Sequence, residues 1–98
     1  MTITQHVIIR GRVQGVGFRM WVEHHAMLHN IEGWVRNRRD GTVEAVFAGP
    51  AEVVQRIVET CRRGPPGSRV EAVDVTDAGP ELLGERQPGE RFSVLPSR

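Results

Sequence analysis

The sequence contains no lysine, and all thirteen of its basic residues are arginines. Without lysine the chain cannot form a Schiff base, and it cannot build a nucleotide-binding loop of the Walker type, which needs a lysine on the phosphates. A single cysteine, Cys61, excludes an internal disulfide framework and fits a reducing cytoplasm. No apolar run approaches the length of a membrane span, and the first ten residues lack the pattern of a secretory signal. We therefore expect a cytoplasmic protein that does not associate with membranes.

Charge is distributed unevenly along the 98 residues, although the formal net charge is only +1. Residues 1–39 hold six arginines and two glutamates, whereas residues 40–98 hold seven arginines and ten acidic residues. An excess of positive charge attracts anionic ligands. The first part of the chain is therefore the part expected to bind an anion.

The spacing of apolar residues predicts five strands and two helices. Alternation of apolar and polar residues predicts strands at residues 6–13, 31–38, 42–48, 69–76 and 91–95. A first helix is predicted at residues 18–29, closed by Asn30 in the left-handed conformation. A second helix is predicted to start at Pro50 and to bury the stripe Val54, Ile57, Val58 and Cys61. Residues 77–90 contain three glycines and two prolines and are predicted to form a loop.

The predicted order is strand, helix, strand, strand, helix, strand, with a short extra strand at the carboxyl end. This order is typical of an α+β protein with the ferredoxin-like split βαβ arrangement, a mostly antiparallel sheet that carries two helices on one face. We expect residues 1–98 to form a single domain. This fold hosts many unrelated functions, so the function has to be argued from individual residues.

The string IRGRVQGVGFR, residues 9–19, joins the first predicted strand to the first predicted helix. Gly15 and Gly17 allow the backbone to turn with its N–H groups pointing inward, and a helix that starts just beyond adds the positive end of its dipole. Arg19 brings a planar guanidinium that can hold two phosphate oxygens. From these residues alone the stretch is either a phosphate site or a tight connection in which the glycines only permit the turn. It is not a dinucleotide fingerprint, because Met20 stands where the third glycine belongs.

Asn37 lies near the end of the second predicted strand, just before the turn signal Asp40-Gly41. Its amide offers both a donor and an acceptor, which a water-orienting residue requires. An asparagine beside a turn is also common for structural reasons. Both interpretations stay open, because sequence alone does not place Asn37 near the glycine loop.

Two further groups of residues suggest other functions. His25 and His29 are four residues apart and share a helix face, but no third metal ligand accompanies them, so a solvent-facing surface is favoured over a metal site. Arg36, Arg38 and Arg39 form a basic cluster at a turn, which fits a solvated face, steering of an anionic substrate, or a nucleic-acid contact. The aromatic string expected of an RNA-binding sheet is missing.

Three stretches of the chain resemble the acylphosphatase family. IRGRVQGVGFR resembles the family's phosphate loop throughout, and GWVRNRRDGTVEAVFAG, residues 33–49, is similar to its second conserved stretch. Residues 50–70, which include GPPGSRV, look like its second helix and the loop that follows. The resemblance implies the small ferredoxin-like α/β sandwich of the family, in agreement with the order predicted above.

The resemblance also implies an activity, the hydrolysis of the carboxyl–phosphate bond of acyl phosphates to a carboxylate and inorganic phosphate, with no metal and no other cofactor. Arg19 takes the family's substrate-binding and charge-stabilising role, and Asn37 takes its water-orienting role. The phosphate is held by the backbone N–H groups of Gly15, Val16, Gly17, Phe18 and Arg19. The chemistry is consistent, because a carboxylate with a conjugate-acid pKa of about 4 leaves as an anion without a general acid.

The chain departs from the family pattern at two pairs of residues. His29-Asn30 replaces the common Leu-Gly pair at the end of the first helix, and Met20-Trp21 is less usual after the arginine. Neither departure replaces Arg19 or Asn37. The alternatives are a non-catalytic module that binds phosphate or acyl phosphate, and a ferredoxin-like domain that binds nucleic acid through Arg36, Arg38 and Arg39. We expect an acyl phosphate as the substrate, no nucleic-acid partner, and a monomer.

Overall fold

A computed structural model describes residues 1–98 as five strands, two α-helices and one short 3₁₀ helix. The strands are β1 (Thr2–Arg12), β2 (Glu32–Asn37), β3 (Val43–Pro50), β4 (Arg69–Ala78) and β5 (Phe92–Val94). The helices are α1 (Phe18–Leu28) and α2 (Ala51–Arg63), and the 3₁₀ helix is Pro80–Glu85. This order confirms the predicted β-α-β-β-α-β arrangement with a short final strand.

The five strands form one mixed sheet in the order β4-β1-β3-β2-β5. Strand β1 pairs antiparallel with β3 and β4, and β2 pairs antiparallel with β3. Only the β2–β5 pair is parallel, so the sheet is mostly antiparallel, as predicted. Because β1 and β2 are both antiparallel to β3, they run in the same direction and end at the same edge of the sheet, one on each side of β3.

Both α-helices pack on one face of the sheet, as predicted, and bury the main core. Val7 and Ile9 of β1, Phe18 of α1 and Val54 and Ile57 of α2 all lie in this core and are at most 2% exposed. Burial of such side chains contributes roughly 1.5–3 kcal/mol each. This packing fixes where α1 begins, and therefore where the connection from β1 to α1 lies.

The opposite face of the sheet is partly covered by the 3₁₀ helix. Leu82 and Leu83 pack there on a small cluster formed by Trp34, Val46 and Leu95. The prediction of a loop over residues 77–90 is wrong in this part, since β4 continues to Ala78 and residues 80–85 are helical. Leu82 and Leu83 pack on an apolar surface formed by residues that are distant in the chain. The local sequence therefore did not predict the 3₁₀ helix.

The ends of the helices agree with the sequence at one position and differ at another. Asn30 closes α1 with φ 56°, and it is the only residue other than glycine with positive φ. The Ile31 N–H donates to the Ala26 C=O at 2.9 Å, which satisfies a carbonyl of the last turn. Pro50 ends β3 with an extended ψ of 137°, and α2 starts one residue later than predicted. Neither α-helix is long and apolar enough to cross a membrane.

Candidate active site

A cavity of about 150 Å³ lies at the edge of the sheet where β1 and β2 end. This volume has room for several water molecules, and therefore for a group the size of a phosphate. It is lined by Val13, Gly15, Gly17, Phe18, Arg19, Met20 and Asn37. The structure therefore brings the glycine loop and Asn37 together. The sequence alone did not show that they are close in space.

The backbone of the loop is open towards this cavity. Gly15 and Gly17 have φ of 74° and 77°, a left-handed conformation that favours glycine, and a Cβ on either would meet no atom within 4 Å. No N–H between Gly15 and Met20 donates to a backbone or side-chain acceptor; the first that does is the Trp21 N–H, to the Gly17 C=O at 3.1 Å. Because α1 starts at Phe18, these N–H groups stand at the positive end of the helix dipole.

Arg19 lies in the first turn of α1 and lines the cavity. Its side chain is half-buried and makes no hydrogen bond or ion pair within the chain. Phe18, beside it, is 2% exposed and anchors the start of the helix in the core. Val16 is the one residue of the predicted loop 15–19 that does not line the cavity, because its side chain packs against the core. The guanidinium of Arg19 is thus free to hold a ligand.

Asn37 is the last residue of β2 and lines the same cavity as the loop. Its backbone C=O accepts a hydrogen bond from the Arg98 N–H at 3.0 Å. Its side-chain amide is half-buried and makes no hydrogen bond within the chain. Both the donor and the acceptor of this amide are therefore available to a molecule in the cavity.

The turn after Asn37 is held by its own side chains and by Gln14. The Asp40 Oδ1 accepts the Thr42 hydroxyl at 2.6 Å and the Thr42 N–H at 3.0 Å. These two bonds hold the pKa of the Asp40 carboxyl below its ordinary value, so it is negative at neutral pH. The Gln14 Nε2 donates to the Arg38 C=O at 2.7 Å and to the Thr42 C=O at 2.9 Å. The loop and the turn are therefore joined directly.

The other candidates from the sequence lie away from this cavity. The His25 ring packs edge-on against Trp21 at 4.6 Å, and burial, followed by the charges of neighbouring histidines, lowers its pKa. No group of three or more potential metal ligands occurs in the chain. Cys61 is 1% exposed, and burial raises the pKa of its thiol to about 12, so it is a core residue.

Arg36, Arg38 and Arg39 do not form one basic surface. The Arg36 Nε donates to the Glu44 Oε1 at 2.7 Å, and its guanidinium lies 4.6 Å from the centre of the Trp34 ring. Trp34 belongs to the face of the sheet opposite the α-helices, so Arg36 is paired and turned away from the cavity. Arg38 and Arg39 make no ion pair.

A larger cavity, of about 400 Å³, lies at the other end of the sheet. Its lining contains one carboxylate and no basic residue: Thr2, Ile3, Thr4, Asp77, Ala78 and Pro80. An anion has no favourable partner there. The smaller cavity is the candidate active site because it combines unpaired N–H groups, a free guanidinium and a free amide.

The sequence analysis did not predict Val13, Gln14 or Met20 as residues of the site. Val13 and Met20 adjoin the glycine loop in sequence, and their place in the lining follows from the direction of the strand and the helix. The position of Gln14 indicated that its side chain is hydrogen-bonded, since a polar side chain between a buried strand end and a glycine needs hydrogen-bond partners. Its partners come from a different hairpin, which sequence alone does not identify.

Comparison with known proteins gives a consistent result. The family model described as Acylphosphatase matches residues 5–87. The chain is 56% identical to an acylphosphatase of Rhodopseudomonas palustris (strain BisB18), over 98% of this chain and 97% of that protein. It is 58% identical to an acylphosphatase of Bradyrhizobium diazoefficiens, over 93% of this chain and 92% of that protein.

A solved structure shows the same likeness in three dimensions. The crystal structure of an acylphosphatase from Bacillus subtilis superposes with a TM-score of 0.81, at 38% sequence identity, over 97% of this chain and 99% of that one. The likeness in sequence and the likeness in structure each extend over nearly the full length of this chain and of these relatives. The chain belongs to the acylphosphatase family of enzymes.

Proposed function

We propose that the chain hydrolyses the carboxyl–phosphate bond of acyl phosphates, with a water molecule as the nucleophile and inorganic phosphate as the second product. One observation carries the proposal: in a member of this family, a free guanidinium, a free amide and a row of unpaired N–H groups line one cavity. Each of these groups lacks a partner within the chain. A bound phosphoryl group and a water would supply those partners.

The phosphoryl group is held by the loop and by Arg19. Backbone N–H groups from Gly15 to Arg19 surround its oxygens, and the guanidinium of Arg19 binds two of them as a fork. During phosphoryl transfer, negative charge is spread over the three equatorial oxygens. Donors that are already in place stabilise this charge without reorganising, which is a large term in enzymatic rate enhancement.

The attacking water is oriented by Asn37. Its amide oxygen accepts a hydrogen bond from the water, and its amide N–H₂ remains available to a phosphoryl oxygen or to the water itself. A strong base is not required, because an acyl phosphate has a good leaving group. Holding the reactants in line then accounts for much of the acceleration.

The reaction proceeds without a general acid and without a metal. The carboxylate product has a conjugate-acid pKa of about 4, so it departs as an anion at neutral pH. None of the residues that line the cavity has a carboxylate, imidazole or thiol side chain. Proteins use these groups to transfer protons and to hold metal ions such as Mg²⁺ and Zn²⁺.

We further propose that residues 1–98 act as a single domain, in the cytoplasm, as a monomer that binds neither nucleic acid nor membranes. The one cysteine is buried in the core, where it cannot link two chains without opening the structure. Arg36, which a nucleic-acid contact would need, is already paired with Glu44.

Release of inorganic phosphate from acetyl phosphate or benzoyl phosphate tests the proposal, with and without a chelator. Catalysed release at the same rate in both conditions is expected. Absence of release contradicts hydrolysis, and release that the chelator abolishes contradicts the metal-free mechanism. A phenyl phosphate ester serves as the control substrate, because its leaving group has a pKa of about 10 and departs poorly without a general acid.

A further inference from the structure

Gln14 stands between two residues that line the cavity but does not line it itself. Its neighbours Val13 and Gly15 do. Its own side chain reaches away, and Nε2 donates to the C=O groups of Arg38 and Thr42 at 2.7 and 2.9 Å. An amide N–H₂ has two hydrogens, and both are used in these bonds.

The two carbonyl acceptors belong to the turn that follows Asn37. The Arg38 N–H donates to the Thr42 C=O at 2.9 Å, and the Gly41 N–H donates to the Arg38 C=O at 3.1 Å. Arg38 is joined to Asn37 by a peptide bond. Gln14 therefore binds Arg38, the residue adjacent to Asn37, and Thr42, whose C=O also accepts the last backbone hydrogen bond of the hairpin.

No other side-chain hydrogen bond or ion pair joins residues 13–20 to residues 37–42. Strands β1 and β2 do not pair with each other, because β3 lies between them. Strands two places apart in a sheet are roughly 10 Å apart. Pairing of β1 and β2 with β3 fixes the distance between these two strands along their length. The glycine loop and the turn after Asn37 lie beyond the strand ends, so this pairing does not fix the distance between them.

We propose that Gln14 is a positioning residue, which sets the distance between the phosphate-holding N–H groups of the loop and the amide of Asn37. It contacts neither the phosphoryl group nor the water. The inference rests on the function proposed above, in which the loop holds phosphorus and Asn37 holds the attacking oxygen. An error of about 1 Å between two such groups costs roughly a hundredfold in rate.

The variant Gln14→Met tests this role, because methionine has a similar length and no amide. Each of the two carbonyls keeps its backbone donor, so the fold is expected to persist. We expect kcat for benzoyl phosphate to fall by about ten- to a hundredfold, while the inhibition constant of inorganic phosphate stays within about threefold. A second variant, Gln14→Asn, keeps the amide on a side chain one methylene shorter and is expected to lower kcat as well.

Gln5→Met is the matched control. Gln5 lies on β1, the strand that leads to Gln14, and its amide donates to the Asp77 Oδ1 at 3.2 Å, at the far end of the sheet. The same chemical change there should leave kcat and phosphate inhibition unaltered. Urea unfolding of all three variants shows whether a loss of activity follows a loss of stability.

A double-mutant cycle with Asn37→Ala separates positioning from a general structural effect. If Gln14 acts through Asn37, the double variant loses no more activity than Asn37→Ala alone. Losses that multiply contradict the proposal, as does a kcat unchanged in Gln14→Met, or a phosphate inhibition constant that weakens in step with kcat. A wild-type chain that releases no phosphate overturns the proposed function itself, whereas an active wild type with an equally active Gln14→Met overturns only the role of Gln14.

Discussion

Replacement of Arg19 by alanine should separate catalysis from folding. The Arg19 side chain makes no hydrogen bond or ion pair within the chain, and it lines the cavity half-buried. Its replacement breaks no hydrogen bond or ion pair of the fold and should change the free energy of unfolding by about 1 kcal/mol or less. Alanine is also the better helix former in the first turn of α1. The variant should therefore fold as well as the wild type.

Its activity should fall steeply. A hydrogen bond to a charged group is worth about 1.5–3 kcal/mol, and the fork of Arg19 would make two of them. Their loss from the transition state is about 3–6 kcal/mol, and since 1.4 kcal/mol is a factor of ten, kcat/KM should drop by roughly 10² to 10⁴. Arg19→Lys keeps the charge but not the fork, and should remain at least about tenfold below the wild type.

Phosphate release from benzoyl phosphate gives kcat/KM, and urea unfolding gives the stability of each variant. Arg56→Ala is the control, because Arg56 is an exposed arginine on α2 that makes no ion pair. An Arg19→Ala variant whose kcat/KM stays within tenfold of the wild type contradicts the binding role of Arg19. A fall of several kcal/mol in its unfolding free energy also contradicts the prediction, since the side chain would then have a structural role.

Three further predictions concern Asn37, Glu44 and Gly33. Asn37→Ala should lower kcat by about ten- to a hundredfold and leave phosphate inhibition unchanged, since the amide acts on water; the reverse pattern in steady-state kinetics contradicts its role. Burial raises the pKa of Glu44, but the hydrogen bonds and charges of His6 and Arg36 together outweigh burial and lower that pKa. Its contribution to stability is therefore present above pH about 4.3 and is lost as the pH falls through the lowered pKa, so Glu44→Gln should flatten the acid decline in unfolding free energy; an equally steep decline would count against this pair. Gly33 has φ 150°, and a Cβ there would stand 1.8 Å from a backbone oxygen of β3, so Gly33→Ala should lose more than about 4 kcal/mol or fail to fold, as measured by circular dichroism.

The conformation of the glycine loop could be predicted from the local sequence. Strand, glycines, arginine and helix follow one another within residues 9–19, and each step depends only on its neighbours. The left-handed Asn30 was predictable for the same reason, because the tolerance of asparagine for positive φ is an intrinsic property. The element order and the fold class followed from periodicity.

The features that could not be predicted from the sequence depend on contacts between residues far apart in the chain. Asn37 reaches the cavity because β1 and β2 end at the same edge of the sheet, which is a consequence of the strand order. The partners of Gln14 come from a hairpin 24 and 28 residues further on. The 3₁₀ helix was hidden by the glycines and prolines around Leu82 and Leu83, whose apolar partners are contributed by three other parts of the chain.

The placement of the two tryptophans gives each face of the sheet its own fluorophore. The chain has no tyrosine, so its intrinsic emission comes from Trp21 and Trp34. Trp34 is 2% exposed, and its indole N–H donates to the Leu82 C=O at 2.8 Å beneath the 3₁₀ helix. Trp21 is half-buried on α1, with its ring against Phe18 and His25. An indole in an apolar site emits at shorter wavelength than one near water, so we expect Trp34 to emit at shorter wavelength than Trp21. A single-tryptophan variant of each kind would therefore report separately on detachment of the 3₁₀ helix and on opening of the helix that carries Arg19.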